Sequence, residues 1–300
     1  MQRFFALSRT THGVLDIAAP GFVALLWLGD FPSWSTLLLS FFTAFAAYTA
    51  IYALNDLVGV MTDKEKVAGG LKEGYSVEAS AFRYPLAQGV LDYRSGVLWF
   101  LGWFLLALIG CYLLNPVIVW ILVAAAALEV IYCLLLKVTY LRTLVSGLVK
   151  SSGPIAAIFV VQPNPDWRWL LLTLAWVFFW EIGGQNIPAD WNDVEEDRRV
   201  GAKTVIIRFG PRVAGAIAFL ALTVTVLLSL FLPIIAPIPL GWPYLVGTVL
   251  IGFFLLLRPA YRLYRSQDGR LAARLFDQAS YYPIAQLTLI TVFVLWNKFF

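Results

Sequence analysis

Three aspartates and two glutamates crowd into one short polar stretch that follows a long apolar run: Asp190, Asp193, Glu195, Glu196 and Asp197. In a helix, their spacing of three and four residues would place the three aspartates on one face. Negative charge at the edge of a membrane helix is costly unless cations lie beside it. Oxygen ligands gathered without Cys or His suit Mg²⁺, which takes one or two carboxylates together with substrate phosphates. The stretch therefore predicts a Mg²⁺ site, with Glu195 and Glu196 expected to remain in solvent.

A second acidic cluster ends another apolar run earlier in the chain. Asn55 and Asp63 have Gly59 midway between them, and Asp56 follows the amide directly. At a rise of about 1.5 Å per residue, the four-residue spacing puts Asn55, Gly59 and Asp63 on one helical stripe about 12 Å long. Asp56 lies off that stripe, where it could instead cap or pair locally. Two acidic stripes on two helices could hold a metal ion between them.

The composition predicts a polytopic, all-α membrane protein. Of the 300 residues, 60% are hydrophobic and 13% are charged, whereas soluble domains are roughly 45–50% apolar. The formal net charge of +4 is too small to favour nucleic acid as a partner. With about twenty apolar residues to a span, the sequence predicts nine membrane-spanning helices, near residues 13–30, 36–60, 96–114, 116–136, 144–162, 169–188, 212–232, 242–258 and 278–297.

Basic residues fall almost wholly in alternate connections between these spans. Those connections hold 19 of the 22 Lys and Arg residues, and the positive-inside rule places such segments in the cytoplasm. The N-terminus and both acidic clusters are therefore expected on the cytoplasmic side, the C-terminus outside, and the protein in a bacterial inner membrane. The glycine-containing connection 64–95 is predicted to form a mobile cap. We expect a single domain with two half-bundles, at about 1–143 and 144–300.

Carboxylates beside Lys and Arg at one membrane face suit a polyanion that is bridged by metal. A diphosphate with an apolar tail is the natural candidate, because the tail could lie among the helices. Mg²⁺ and basic side chains would stabilise pyrophosphate as it leaves, so we expect ionisation or displacement at the carbon that bears the diphosphate. Aromatic rings, which belong to 16% of the residues, could stabilise the carbocation until a nucleophile captures it.

These features resemble the UbiA-type intramembrane prenyltransferases over nearly the whole chain. That family has a first motif, N-D-x-x-D-x-x-x-D, a second motif, D-x-x-D-x-x-x-D, an R-P-L-x-x-G segment after the first motif and a lysine after the fourth span. The matching positions are Asn55, Asp56 and Asp63 in the first motif, Asp190, Asp193 and Asp197 in the second, Arg83 to Gly89 in the R-P-L-x-x-G segment, and Lys137 after the fourth span.

The resemblance implies helices around a central cavity and Mg²⁺-dependent transfer of a prenyl group from a polyprenyl diphosphate to a small hydrophobic or aromatic acceptor, as in quinone biosynthesis. Membrane lipids would be the other partners. The implied metal ligands are Asn55, Asp56, Asp63, Asp190, Asp193 and Asp197. The expected catalytic residues are Asp63, Asp193 and Asp197, and the expected substrate contacts are Asn55, Arg83, Lys137, Arg198 and Lys203.

The chain departs from the family pattern at three places. Gly59 stands where the first motif has its middle aspartate, so one expected metal ligand is missing. Tyr84 interrupts the R-P-L run. The tyrosine that commonly stands four residues before the lysine is displaced, because Cys133 holds that place and Tyr132 precedes it.

Two other functions fit part of the pattern. A terpene cyclase of the same superfamily would share the metal site but quench the carbocation internally. A cation-coupled transporter would use intramembrane acids as an ion pathway, and it predicts acidic groups near the bilayer midplane. Both acidic clusters lie instead at the ends of apolar runs beside basic segments, which disfavours the transporter.

Several further polar residues lie within or near the spans. His12 and Asp16 are four residues apart, a spacing that would suit an acceptor contact or a general base, or equally a histidine at the membrane interface. Glu129, Glu181 and Gln185 are functional candidates because polar groups inside a membrane are costly. Glu181 is one helical turn from Gln185, but the sequence assigns no role to either.

Overall fold

The computed structural model of the protein describes residues 2–71 and 83–299, and every regular element in these ranges is helical. Nine of the described helices are long and apolar enough to cross a membrane, which confirms the predicted all-α architecture. They are α1 (Thr10–Leu28), α2 (Trp34–Ala68), α3 (Tyr93–Leu114), α4 (Pro116–Lys137), α5 (Arg142–Val161), α6 (Trp167–Asn192), α7 (Val205–Ile235), α8 (Gly241–Ser266) and α9 (Gly269–Phe299). Two short helices, Gln2–Leu7 and Val194–Arg199, lie outside the spans.

Four helices begin or end well beyond the predicted spans, and one of them is α8, which ends at Ser266 rather than near residue 258. The apolar window of the second span stops near residue 60, but α2 continues to Ala68. Likewise α7 begins at Val205 and α9 at Gly269, seven and nine residues before the predicted starts. A hydropathy window marks only the apolar part of a helix, whereas these charged ends are helical and pack against neighbouring segments.

Local sequence signals explain where several helices begin. The Asn115 side chain accepts a hydrogen bond from the backbone N–H of Val117 at 3.0 Å, and Pro116 occupies the first turn of α4. Asp166 accepts from the backbone N–H of Arg168 at 2.9 Å at the start of α6. Such caps satisfy N–H groups that a helix leaves unpaired at its start. These caps lie between α3 and α4 and between α5 and α6.

The first helix, α1, packs against α5 and α9 and also contacts α2. Each helix from α2 to α7 packs against the next one along the chain, and α7 also packs against α8. In addition, α4 packs against α2. The aromatic core includes Phe22 of α1 against Trp176 of α6, whose indole N–H donates to the Tyr282 hydroxyl of α9 at 3.2 Å. The first and last membrane helices, α1 and α9, therefore both contact Trp176 of α6.

A π-helical turn interrupts α6 at Glu181–Asn186. Two glycines within it allow close packing: a Cβ on Gly183 would lie 2.7 Å from the carbonyl oxygen of Ala218 in α7, and one on Gly184 would lie 2.8 Å from the Cβ of Ala279 in α9. Turns of this kind often occur at functional sites. Here the turn brings three polar side chains to the wall of a cavity described below.

Residues 72–82 of the predicted cap lie outside the described part of the chain, so the cap stays a prediction. Of the connection 64–95, residues up to Ala68 belong to α2 and those from Tyr93 belong to α3. Between them, Pro85 and Gly89 lie in a compact turn in which the Pro85 carbonyl accepts from the N–H of Val90 at 3.0 Å. The division into two half-bundles also remains a prediction.

Candidate active site

The two acidic clusters lie at the same end of the helix bundle and are joined by basic side chains. Lys66, near the end of α2, places its Nζ 2.6 Å from Oδ1 of Asp197. Arg83, in the turn before α3, places Nη2 2.8 Å from Oδ1 of Asp193. Two clusters that are more than a hundred residues apart in sequence therefore share one site.

The backbone of the second cluster is not one continuous helix. α6 ends at Asn192, Asp193 has φ −97° and ψ 5°, and a new short helix runs over Val194–Arg199. The three aspartates are therefore not carried by one uninterrupted helix, although the Asp197 N–H still donates to the Asp193 carbonyl at 2.9 Å across the break. Asp190 is buried, and its Oδ1 accepts from Nη1 of Arg142 at 3.1 Å.

The first cluster lies on α2 and each member meets a different group. Asn55 donates from Nδ2 to Oε1 of Glu129 at 2.5 Å. Asp56 is 3.4 Å from Nη2 of Arg9. A Cβ on Gly59 would lie 3.2 Å from Oδ2 of Asp63, so the glycine leaves room for the Asp63 carboxylate at the place where the family pattern has a further acid.

Arg83 is the centre of a second set of contacts. It also pairs with Glu196 at 2.9 Å and donates to the Tyr84 hydroxyl at 3.0 Å, and that hydroxyl lies 3.4 Å from Oδ2 of Asp193. Glu196 is only 2% exposed, so the expectation that it remains in solvent is wrong, whereas Glu195 is exposed. Burial raises the pKa of Tyr84, and the neighbouring carboxylate of Asp193 acts in the same direction. Tyr84 therefore stays protonated and can donate.

Three predicted substrate contacts lie on the rim of this end. Lys137 is part-exposed and pairs with Oε2 of Glu65 at 2.6 Å. Arg198 and Lys203 are exposed, and the backbone N–H of Lys203 donates to the carbonyl of Leu136 at 2.7 Å. These side chains border the acidic clusters, whereas Lys66, Arg83 and Arg142 contact the carboxylates directly.

Lys66, Arg142 and Glu196 were not among the predicted site residues. Lys66 follows Asp63 by three residues, a helical spacing that could have indicated a shared face. Arg142 carries no comparable signal, because the sequence alone does not separate a buried cation from one that anchors a loop in the cytoplasm. Its burial becomes evident only from the position of α5 beside α6.

The donor atoms at this end fit a Mg²⁺ ion that arrives with a diphosphate. Among residues 2–71 and 83–299, no three acidic, His or Cys side chains are grouped as a ready-made metal cage. Oδ2 of Asp190 is buried, however, and has no hydrogen-bond partner among those residues. Mg²⁺ commonly binds through one or two carboxylates, substrate phosphates and water, so a diphosphate would complete the ligand set.

Two cavities meet beneath these residues. One, of about 430 Å³, is lined by Asp56, Arg83 and Asp193. The other, of about 640 Å³, is mostly apolar and extends to Phe31, beyond the far end of α1. His12 lines both. This arrangement can hold a charged headgroup at the acidic end while an apolar tail lies within the bundle.

Comparisons with known proteins agree with this architecture. A digeranylgeranylglyceryl phosphate synthase from Methanopyrus kandleri is 29% identical over 198 residues, which cover 63% of this chain and 68% of the relative. The apo structure of a UbiA homolog from Aeropyrum pernix K1 has a TM-score of 0.72 and 16% identity, covering 94% of this chain and 98% of that one. A UbiA homolog from Archaeoglobus fulgidus bound to GPP and Mg²⁺ has a TM-score of 0.65 and 15% identity, covering 96% and 99%.

A family model also matches most of the chain. The model of the UbiA prenyltransferase family matches residues 17–289, a range that contains both acidic clusters and nearly all of the membrane helices. The resemblance noted from the motifs is thereby confirmed. This integral membrane protein belongs to the UbiA prenyltransferase family.

Proposed function

We propose that this protein transfers a prenyl group from a polyprenyl diphosphate to a small acceptor with release of pyrophosphate, and that Mg²⁺ is its cofactor. The single observation that carries the proposal is the joining of two acidic clusters by Lys66 and Arg83, with Arg83 and Asp193 lining a cavity that adjoins a long apolar one. The family to which the chain belongs and the Mg²⁺-bound and GPP-bound homolog support the same reaction.

Different charged side chains would bind the metal ion and the phosphate oxygens of the headgroup. Asp63, Asp190, Asp193 and Asp197 would hold Mg²⁺, which when bound would neutralise charge on the departing pyrophosphate. Lys66 and Arg83, which now pair with carboxylates, would hold phosphate oxygens. Asn55, Asp56, Lys137, Arg198 and Lys203 remain proposed contacts of the metal or the diphosphate.

The bundle contributes by excluding water from the reacting carbon. The bond between that carbon and the diphosphate oxygen breaks and its electron pair leaves with pyrophosphate. A new bond to the acceptor forms, and the acceptor's displaced proton leaves with the pyrophosphate. A mostly apolar cavity around the tail favours capture by the acceptor over capture by water. A terpene cyclase would use the same site but would form hydrocarbon or alcohol without an acceptor.

We infer that the acceptor is aromatic, with quinone precursors as the preferred class. Aromatic side chains line the junction of the two cavities: Phe276 stacks on His12 with ring centroids 5.2 Å apart, and Tyr52 meets the same imidazole edge-on at 5.9 Å. The name of the Methanopyrus kandleri relative refers to a glyceryl phosphate product, so an acceptor of that type belongs in the same assay. We place the active site and N-terminus in the cytoplasm of a bacterial cell and the C-terminus outside, from the distribution of basic residues.

Incubation with labelled geranyl diphosphate tests the proposal. We expect pyrophosphate release and a prenylated product when an acceptor and Mg²⁺ are both present, and neither when Mg²⁺ is chelated with EDTA. Restoring Mg²⁺ after chelation is the control, because it should recover activity. Hydrocarbon or alcohol formed at full rate without an acceptor would instead identify a cyclase.

We expect the Mg²⁺ concentration for half-maximal pyrophosphate release to fall as the pH is raised from mildly acidic to mildly alkaline. Burial raises the pKa of Asp197, although the ion pair with Lys66 opposes this effect. A raised pKa means that protons compete with the metal until the pH passes that pKa, so metal affinity increases with pH. Mg²⁺ titrations at two pH values measure the effect, and Mg²⁺-dependent thermal stabilisation without diphosphate controls for titration of the substrate. A half-maximal concentration that does not change with pH would contradict it.

A further inference from the structure

The π-helical turn of α6 presents three buried oxygen atoms that lack donors. They are Oε2 of Glu181, Oε1 of Gln185 and Oδ1 of Asn186, and none has a hydrogen-bond partner within the described parts of the chain. The three residues are 6%, 3% and 4% exposed and all line the larger cavity. Buried acceptors without donors are rare in folded proteins and call for a specific explanation.

Contacts made by the other atoms of these side chains fix their orientation. Ser146 donates to Oε1 of Glu181 at 2.6 Å, which leaves Oε2 as the unsatisfied oxygen. The Gln185 amide donates from Nε2 to the carbonyl of Phe276 at 3.3 Å and to Ser280 at 3.2 Å. Because Nε2 must face α9 to donate, the Gln185 oxygen is directed away from that helix. The donors for these oxygens must therefore come from something other than the described protein.

The charged residues Arg9, Lys150, Glu129 and Glu181 line the same cavity, and each of the two cations already pairs with a carboxylate, Arg9 with Asp56 at 3.4 Å. Lys150 forms an ion pair with Asp16, with Nζ 2.6 Å from Oδ2, and it also donates a hydrogen bond to the Tyr52 hydroxyl at 3.2 Å. Tyr52 donates to the same Asp16 oxygen at 2.5 Å. Neither Glu181 nor Glu129 forms an ion pair within the described ranges, although both line the cavity. A carboxylate or phosphate placed here would add negative charge beside two acids, which is unfavourable at low polarity.

We propose that Glu181, Gln185 and Asn186 bind the head of the acceptor substrate, and that this head is uncharged and carries at least two hydrogen-bond donors, as a benzenediol does. The inference rests on the proposed prenyl transfer and names the acceptor class of that reaction. Two hydroxyl donors would satisfy two of the three orphaned oxygens, whereas a carboxylate or phosphate group would add negative charge beside Glu129 and Glu181 in the same cavity. Because His12 lines both cavities, an acceptor bound here is adjacent to the end that holds the diphosphate.

Three acceptor probes test the class with geranyl diphosphate and Mg²⁺: hydroquinone, para-hydroxybenzoate and glycerol phosphate. We expect hydroquinone to be prenylated with the highest kcat/KM, by about tenfold or more over either anion, because placing a negative charge beside Glu129 and Glu181 in a mostly apolar cavity is unfavourable. A higher kcat/KM with either anion would overturn the inference while leaving prenyl transfer intact. Absence of pyrophosphate release with all three probes, in wild type and Asp193→Asn alike, would remove the proposed function and the inference with it.

Substitutions within α6 and α9 provide a matched pair. Gln185→Leu should raise KM for hydroquinone about tenfold and leave KM for geranyl diphosphate within about twofold, since its oxygen lies in the acceptor subsite. Gln286→Leu should change neither, because Gln286 is equally buried at 1% exposure but does not line the cavity. Glu181→Gln, which keeps the side chain's shape, should also raise KM for hydroquinone, and it serves if Gln185→Leu fails to fold. Equal KM values in wild type and all folded variants would overturn the assignment.

Discussion

Asp193→Asn is expected to lower the rate of pyrophosphate release from geranyl diphosphate by at least about a hundredfold, a loss typical of removing one charge-stabilising group from an active site. Asp193 lies between both parts of the site, 2.8 Å from Arg83 and 3.4 Å from the Tyr84 hydroxyl. The substitution removes a charged metal ligand while keeping the shape of the side chain. Glu196 still pairs with Arg83 in the variant, so the loss would not arise from an unpaired buried cation.

Asp166→Asn is the matched control for this experiment. Asp166 is a carboxylate at the opposite end of α6, where it caps the helix and pairs with Arg168 in an exposed position. The same chemical change there should leave pyrophosphate release within about twofold, because an exposed ion pair contributes little. Release that is unchanged in Asp193→Asn would contradict the assignment of the second acidic cluster.

Arg142→Met is expected to destabilise the protein by about 3–5 kcal/mol, the cost of leaving one member of a buried ion pair unpaired. Arg142 and Asp190 are 3.1 Å apart with side chains 7% and 8% exposed, and the guanidinium lies 3.9 Å from the centre of the Tyr132 ring. Without Arg142, the Asp190 carboxylate would be buried beside other acids. The thermal unfolding midpoint in detergent measures the effect.

The double variant Arg142→Met/Asp190→Asn separates charge from packing. Replacing both members of a buried ion pair is often close to neutral, so we expect most of the lost stability to return even though the double variant lacks a metal ligand. The difference between the double variant and the sum of the single variants gives the coupling energy. A double variant that is no more stable than Arg142→Met would show that the pair contributes through packing alone.

The sequence was sufficient to predict the spans and the acidic end, because both depend on strong and local physical constraints. A helix in lipid must be about twenty residues long and apolar. Acidic residues at the end of such a helix are therefore easy to recognise in the sequence. The charged extension of α2 to Ala68 was missed for the same reason, since hydropathy marks contact with lipid rather than helical structure.

The partners of the acids could not be predicted, because they depend on which helices are neighbours. Lys66 and Arg142 occur among other basic residues, and they are buried only because α2 contacts the short helix Val194–Arg199 and α5 packs against α6. Glu196 was misjudged because Arg83, its partner, is more than a hundred residues away. The break at Asp193 likewise leaves no periodic signal that spacing alone could reveal.

The π-helical turn of α6 also sets an angular relation between the two ends of that helix. One residue more or fewer rotates everything beyond it by about 100° around the axis. With the turn as it stands, Asp190 beyond it contacts Arg142, and Gln185 within it lines the cavity. A one-residue deletion in the turn would therefore misalign both places at once. The two sites share a single rotational setting, so insertions and deletions cannot tune the specificity of one without changing the chemistry of the other.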